Sequence, residues 1–155
     1  LAEMTAWAKQ QGETLYDILL QIYQKYGYWQ ESLLSIVRKG KSGAEEIEKM
    51  MDNFRNNPPK ELLGQKIVKI NDYELKISKD LKSGKEENLS LPKSNVLQWF
   101  LKDGSKVSIR PSGTEPKIKF YFGVRSEYSI GENFEQLQKH SLKKIEKIKK
   151  ELNLE

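Results

Sequence analysis

Lys106-Val107-Ser108-Ile109-Arg110-Pro111-Ser112-Gly113-Thr114-Glu115-Pro116-Lys117-Ile118-Lys119-Phe120-Tyr121-Phe122-Gly123-Val124 is the stretch on which the fold turns. Both of its arms alternate. Val107 and Ile109 share one side of the first arm, and Ile118, Phe120 and Phe122 share one side of the second, the period-two pattern of a half-buried strand. A bend rich in Pro, Ser, Gly and Thr separates the arms, so they run antiparallel. Upstream, Asp103-Gly104 is a hairpin signal, preceded by a strand over Ser94 to Leu101 with Trp99-Phe100 at its centre. Successive strands joined by short turns make a mostly antiparallel sheet. The helical patterns elsewhere must then cover one of its faces, which gives an α+β layer architecture.

The bend itself suits an anion. Arg110 offers a planar fork of donors matched to phosphate oxygens, each charge-assisted bond contributing about 1.5–3 kcal/mol. Ser112 and Thr114 supply hydroxyls. Gly113 permits a positive φ and close approach, so successive N–H groups can line an anion-binding concavity. Pro111 and Pro116 hold Arg110 and Glu115 extended. Lys119 follows Lys117 by two residues and shares its strand face with the bend. Glu115 is expected to point away from the anion or to orient Arg110 or Lys117. The same string also reads as an ordinary hairpin turn, because turn chemistry accounts for Pro and Gly equally well.

Residues Arg110 to Tyr121, R-P-S-G-T-E-P-K-I-K-F-Y, resemble the C-terminal phosphate-binding loop of the α-D-phosphohexomutases, the phosphoglucomutase/phosphomannomutase family. Leu91-Pro92-Lys93-Ser94-Asn95-Val96-Leu97 and the helix start Thr14-Leu15-Tyr16-Asp17 are similar to the same family's last domain. The likeness covers about residues 13–155. It implies a TATA-binding-protein-like α+β fold and a loop that grips the phosphate not being transferred. Arg110 would be the main charge partner, Ser112, Gly113 and Thr114 the hydroxyl and backbone donors, and Lys119 a second cation, where the family often shows Arg. The whole enzyme would interconvert 1-phospho and 6-phospho sugars through a bisphosphorylated intermediate, with Mg2+ as cofactor and a phosphosugar as partner. Its phosphoserine loop, its Asp-x-Asp-x-Asp magnesium loop and its Glu-Ser sugar-recognition loop do not occur in this sequence. The resemblance therefore implies no catalytic residue and no metal ligand here, inactivity of these residues alone, and the N-terminal domains of a longer chain as partners. The kind of sugar, glucose, mannose or glucosamine, would be decided by the third of those loops.

Composition narrows the class. The chain has 155 residues, 37% apolar and 32% charged, a net charge of +5 and no cysteine. Disulfides and thiolate metal sites are excluded. No run of apolar residues is long enough for a membrane-spanning helix. No leader pattern opens the chain, and a cytoplasmic residence is the expectation. Leu1 to Lys9 reads as helix interior with no cap before it. Residues 1–12 are therefore expected to end a preceding domain, residues 13–155 to form the C-terminal domain, and Gly12-Glu13 to be the hinge between them.

The remaining segments read as follows. Thr14 caps a helix with the stripe Leu15, Ile18, Leu19, Ile22, Tyr23 and Tyr26, closed by Gly27; its aromatic members are expected in the core. Ser32 to Lys39 is a short strand. Ser42 with Glu45 forms a capping box for a helix striped by Ile47, Met50, Met51 and Phe54. Lys66 to Ile70 and Tyr73 to Ser78 read as strands, and Lys79 to Ser90 as an exposed loop. Asn133 caps a last helix striped by Phe134, Leu137, Leu142, Ile145, Ile148 and Leu152. His140 sits among lysines on that helix with no partner nearby in sequence. The five aspartates are too scattered for a metal loop. The basic last helix admits a second function class, a stand-alone module for anions or nucleic acid. Glu146 and Glu151 interrupt it, and no aromatic is interleaved for base stacking, so no nucleic-acid partner is expected.

Overall fold

A computed structural model describes residues 1–129 and 131–154. The elements run α1 (Ala2–Gln10), α2 (Leu15–Tyr26), β1 (Tyr28–Val37), α3 (Gly40–Asn56), β2 (Glu61–Leu62), β3 (Gln65–Asp72), β4 (Ile77–Asp80), β5 (Glu86–Asn88), β6 (Leu97–Leu101), β7 (Lys106–Pro111), β8 (Lys117–Ser126) and α4 (Phe134–Glu151). One sheet has the order β1-β8-β7-β6-β3-β4-β5, with β2 paired to β3. Every pairing is antiparallel. The architecture is the α+β class expected from the alternation around residues 106–124.

One face of the sheet carries the core. Trp99, Val107, Ile109, Ile118 and Phe120 are fully buried there beneath Ile47, Met51 and Phe54 of α3 and Ile145 and Ile148 of α4. Phe54 meets Trp99 and Phe120 edge-on at 5.5 and 5.7 Å. Each such large apolar side chain stabilises the fold by about 1.5–3 kcal/mol through removal from water. Among the described residues the other sheet face is left uncovered by this core, and none of its side chains joins the cluster. Polar side chains of β6, β7 and β8 therefore stand on it, and the phosphate-loop candidate lies at its edge.

Several expected elements shift. The first strand begins at Tyr28 and not Ser32, because Gly27, at φ +88°, ends α2 and turns directly into it. Val37 and Leu33 lie on the uncovered face, 62% and 51% exposed. Helix α3 starts at Gly40 without a side-chain cap, so the Ser42–Glu45 box does not form. Gly43 instead allows close packing on Arg38, whose Cβ would lie 2.6 Å from an added methyl. Tyr73 to Lys76 is a turn and not a strand. Asp72 Oδ1 accepts the Glu74 and Leu75 amides at 2.9 and 3.2 Å, and Lys76 closes the turn at φ +58°. The expected loop over residues 79–90 is a β4–β5 hairpin, held where Asp80 accepts from the Lys82 and Ser83 amides.

The helix ends follow local chemistry. Thr14 and Asp17 form a full capping box on α2. Gly12, at φ +74°, closes α1, with Gly12 N–H donating to Lys9 and Glu13 N–H to Ala8. The stripe of α2 is not core: none of its residues is fully buried, and Ile22 and Tyr26 are 44% and 60% exposed. Tyr23 does pack, stacking on Phe134 at 5.4 Å. On α4 the inward position is Ser141, not Leu142. Ser141 donates to Leu137 O and meets Ser126 Oγ, each at 2.9 Å, while Leu142 is 41% exposed.

Candidate phosphate-binding site

The site is built by the β7–β8 pair. In its register Arg110 lies directly opposite Lys119, and Ser35 of β1 lies opposite Lys119 on the other side. Directly opposed residues share a sheet face. Arg110 and Lys119 therefore stand side by side on the uncovered face at the mouth of the loop.

The loop between them is closed by its backbone. Ser112 N–H donates to Lys117 O at 2.8 Å, and Arg38 N–H of the neighbouring chain segment donates to Pro116 O at 2.8 Å. Ser112 therefore offers its hydroxyl outward but not its amide, which corrects the expectation that the amides of residues 112–114 all line the concavity. The Gly113 and Glu115 amides have no carbonyl partner among the described residues, and Thr114 N–H reaches only Ser112 Oγ at 3.5 Å. Gly113 is not in the left-handed region, and a Cβ on it would meet nothing within 4 Å. The glycine leaves open space above the amides without being required by the backbone conformation.

Arg110, Pro111, Ser112, Gly113, Thr114, Lys119 and Tyr121 line a hollow of about 380 Å³. All five residues expected to bind phosphate are thus brought together. Tyr121 joins them unforeseen, although the alternation that put Lys117 and Lys119 on one face extends to it. A larger hollow of 810 Å³ lies at Gly64 to Val68, Leu81, Lys82 and Lys102, but it is walled mostly by apolar surface and has no hydroxyl side chain. The smaller hollow has the donor set for an anion.

Charge in the loop is sorted by a local pair. Glu115 bonds Lys117, and the Lys117 ammonium holds its carboxyl below the ordinary glutamate range, with the Lys119 charge adding to the effect. The two neutralise each other. Neither Arg110 nor Lys119 has an ion-pair partner among the described residues. Two cations and two hydroxyls thus line one hollow beside amides without a carbonyl partner, the kinds of donor that an anion site uses. No cluster of three or more His, Cys, Asp or Glu that could hold a metal occurs among the described residues. The magnesium implied by the resemblance finds no ligand set in them.

The family described as "Phosphoglucomutase/phosphomannomutase, C-terminal domain" matches residues 37–140, a span that takes in the whole loop and its flanking strands. This chain belongs to that family. Phosphoglucomutase from Staphylococcus haemolyticus is 35% identical over 88% of this chain and 24% of its own length. Phosphoglucomutase from Staphylococcus aureus strain MRSA252 is 40% identical over 74% of this chain and 20% of its own length. The chain thus spans about a quarter or less of the phosphoglucomutases it matches. A solved structure of the phosphoglucomutase pp63/parafusin from Paramecium, in an open form, aligns with a TM-score of 0.47 and 19% identity over 88% of this chain and 23% of that one.

Proposed function

We propose that residues 13–155 are the phosphate-gripping domain of a phosphohexomutase and that Arg110, Ser112, Gly113, Thr114 and Lys119 hold the phosphate that is not transferred. The observation that carries this is the opposed, unpaired Arg110–Lys119 couple at the mouth of a loop with uncommitted amides. The complete enzyme would isomerise hexose 1- and 6-phosphates as an intramolecular phosphotransferase, with its catalytic serine, magnesium ligands and sugar-recognition loop in the rest of a longer cytoplasmic chain.

The donor set fits that task. In such a cycle the bisphosphorylated intermediate turns over, so one seat must take a phosphate from either end of the sugar. Hydroxyls, amides and cations read a dianion and carry little information about the ring attached to it. The lowered Glu115 carboxyl stays paired to Lys117, which leaves Arg110 and Lys119 to the phosphate. Residues 1–12 would close the preceding domain. Gly12-Glu13 would act as the hinge, since Gly12 has open space around its Cα at φ +74°.

Steady-state kinetics of Arg110→Ala in the full-length enzyme test the reading. KM for hexose phosphate rises by the equivalent of about 2–3 kcal/mol with kcat little changed, the loss of one charged contact. Unchanged kinetics remove Arg110 from the seat. Salt-steep binding of random duplex DNA, with no response to phosphosugar, favours a stand-alone nucleic-acid module instead.

A further inference from the structure

We propose that Tyr121, supported by Ser108, is a positioning residue that orients the sugar body leaving the phosphate seat; the inference rests on the phosphate-binding reading above. Tyr121 follows Lys119 by two residues on β8. It therefore stands on the same sheet face one pleat farther from the loop, about 7 Å along the strand. It lines the same hollow as Arg110, Ser112, Thr114 and Lys119, and the residue is 39% exposed. A phosphate held between Arg110 and Lys119 leaves the sugar two ways out, over the loop tip or along the sheet face. Along the sheet, Tyr121 is the first side chain met.

Its hydroxyl is available. Tyr28 donates to Gln30 and Tyr73 donates to Gln98, but Tyr121 makes no side-chain hydrogen bond among the described residues. The residue directly across the ladder is Ser108, 8% exposed. Ser108 ends a directed chain in which Tyr73 O–H donates to Gln98 Oε1 at 2.9 Å and Gln98 Nε2–H donates to Ser108 Oγ at 3.0 Å. Because its oxygen accepts from Gln98, Ser108 retains a hydroxyl proton with no acceptor among the described residues. The chain thus fixes Ser108 directly across the ladder from Tyr121.

Space continues past the ring. Gly123, the next residue on this face, has no side chain, and a Cβ there would meet only Lys106 O, at 3.9 Å. On its β1 side Tyr121 also walls a second hollow of 280 Å³ with Glu31, Ser32 and Leu33. An amphipathic ring between two hollows, beside an anion seat, matches a phosphorylated polyol. The ring covers the C–H face of the sugar, and the phenol meets its hydroxyls.

The test uses the full-length enzyme with Tyr121→Ala, Tyr121→Phe and Arg110→Ala. Two constants are read: KM for glucose 6-phosphate and the inhibition constant of inorganic phosphate. Tyr121→Ala raises KM about tenfold and Tyr121→Phe about threefold, the range of a stacking contact and of one hydrogen bond. The phosphate constant stays unchanged in both, and Arg110→Ala weakens both ligands. Tyr121→Phe keeps the ring and so separates a positioning role from loss of fold. If Tyr121→Ala binds the sugar phosphate as the wild type does, or loses both ligands equally, the proposal fails and the phosphate seat stands. If Arg110→Ala changes neither constant, the seat fails and the proposal with it.

Discussion

At the scale of the residue, Gly113 separates what backbone geometry demands from what a ligand demands. The sequence string suggests a glycine needed for a positive φ, yet Gly113 lies outside that region and a Cβ there has open space. Gly113→Ala should therefore leave the thermal midpoint unchanged or slightly higher, since alanine narrows the unfolded ensemble by the equivalent of about 0.4–1 kcal/mol. Phosphate affinity should fall, because the methyl group enters the space above the unpartnered amides. Paired melts and phosphate titrations check this; a midpoint several degrees lower, with affinity retained, would show that the glycine serves the fold. The placing of Arg110 and Lys119 beside the loop was legible from strand position. The commitment of the Ser112 amide to Lys117 O was not, because it depends on how the loop closes in space.

At the scale of the element, periodicity and caps carried most of the information, and the misreadings have local causes. The run Tyr73, Leu75, Ile77 alternates as a strand does, but the Asp72 carboxylate captures two amides and makes the turn first. On α4 the helical period selects Ser141 over Leu142, and the hydroxyl is buried only because Ser126 Oγ and Leu137 O meet it. The Thr14 cap of α2 was legible, its reciprocal bond with Asp17 was not, and the pair gives a pH-dependent prediction. Hydrogen bonds from the Thr14 hydroxyl and then the Thr14 amide hold the Asp17 carboxyl below the ordinary aspartate range. Its folded-state pKa is thus below its unfolded one. Its stabilising contribution is present above the unfolded value and is lost as pH falls through the folded value. Wild type should therefore melt higher than Asp17→Asn above about pH 5, and the gap should close on acidification towards about pH 2. A gap that stays constant over that range would show that ionisation of Asp17 plays no part in the cap.

At the scale of the whole molecule, the sheet divides the labour. The face under α3 and α4 holds the buried aromatic cluster, and the opposite face carries Arg110 and Lys119, so the cation pair rests on the β7–β8 ladder. This division followed from the alternation of residues 106–124. What the sequence left hidden is that α2's apolar stripe stays outside the core, because a stripe records amphipathicity and not which surface covers it. The same distinction decides how residues 1–12 behave. Within α1 only Ala8 is fully buried, and Met4 and Trp7 are 56% and 53% exposed. The core cluster draws no member from α1 or α2. Removing residues 1–12 should thus take little apolar burial from residues 13–155. We expect the midpoint of the shortened chain to fall by less than about 4 °C, the upper end of what 1 kcal/mol shifts in domains somewhat larger than this one. Scanning calorimetry of the two chains measures it directly. A fall of ten degrees or more would make α1 an integral layer of this domain, and the boundary at Gly12 would have to move towards Leu1.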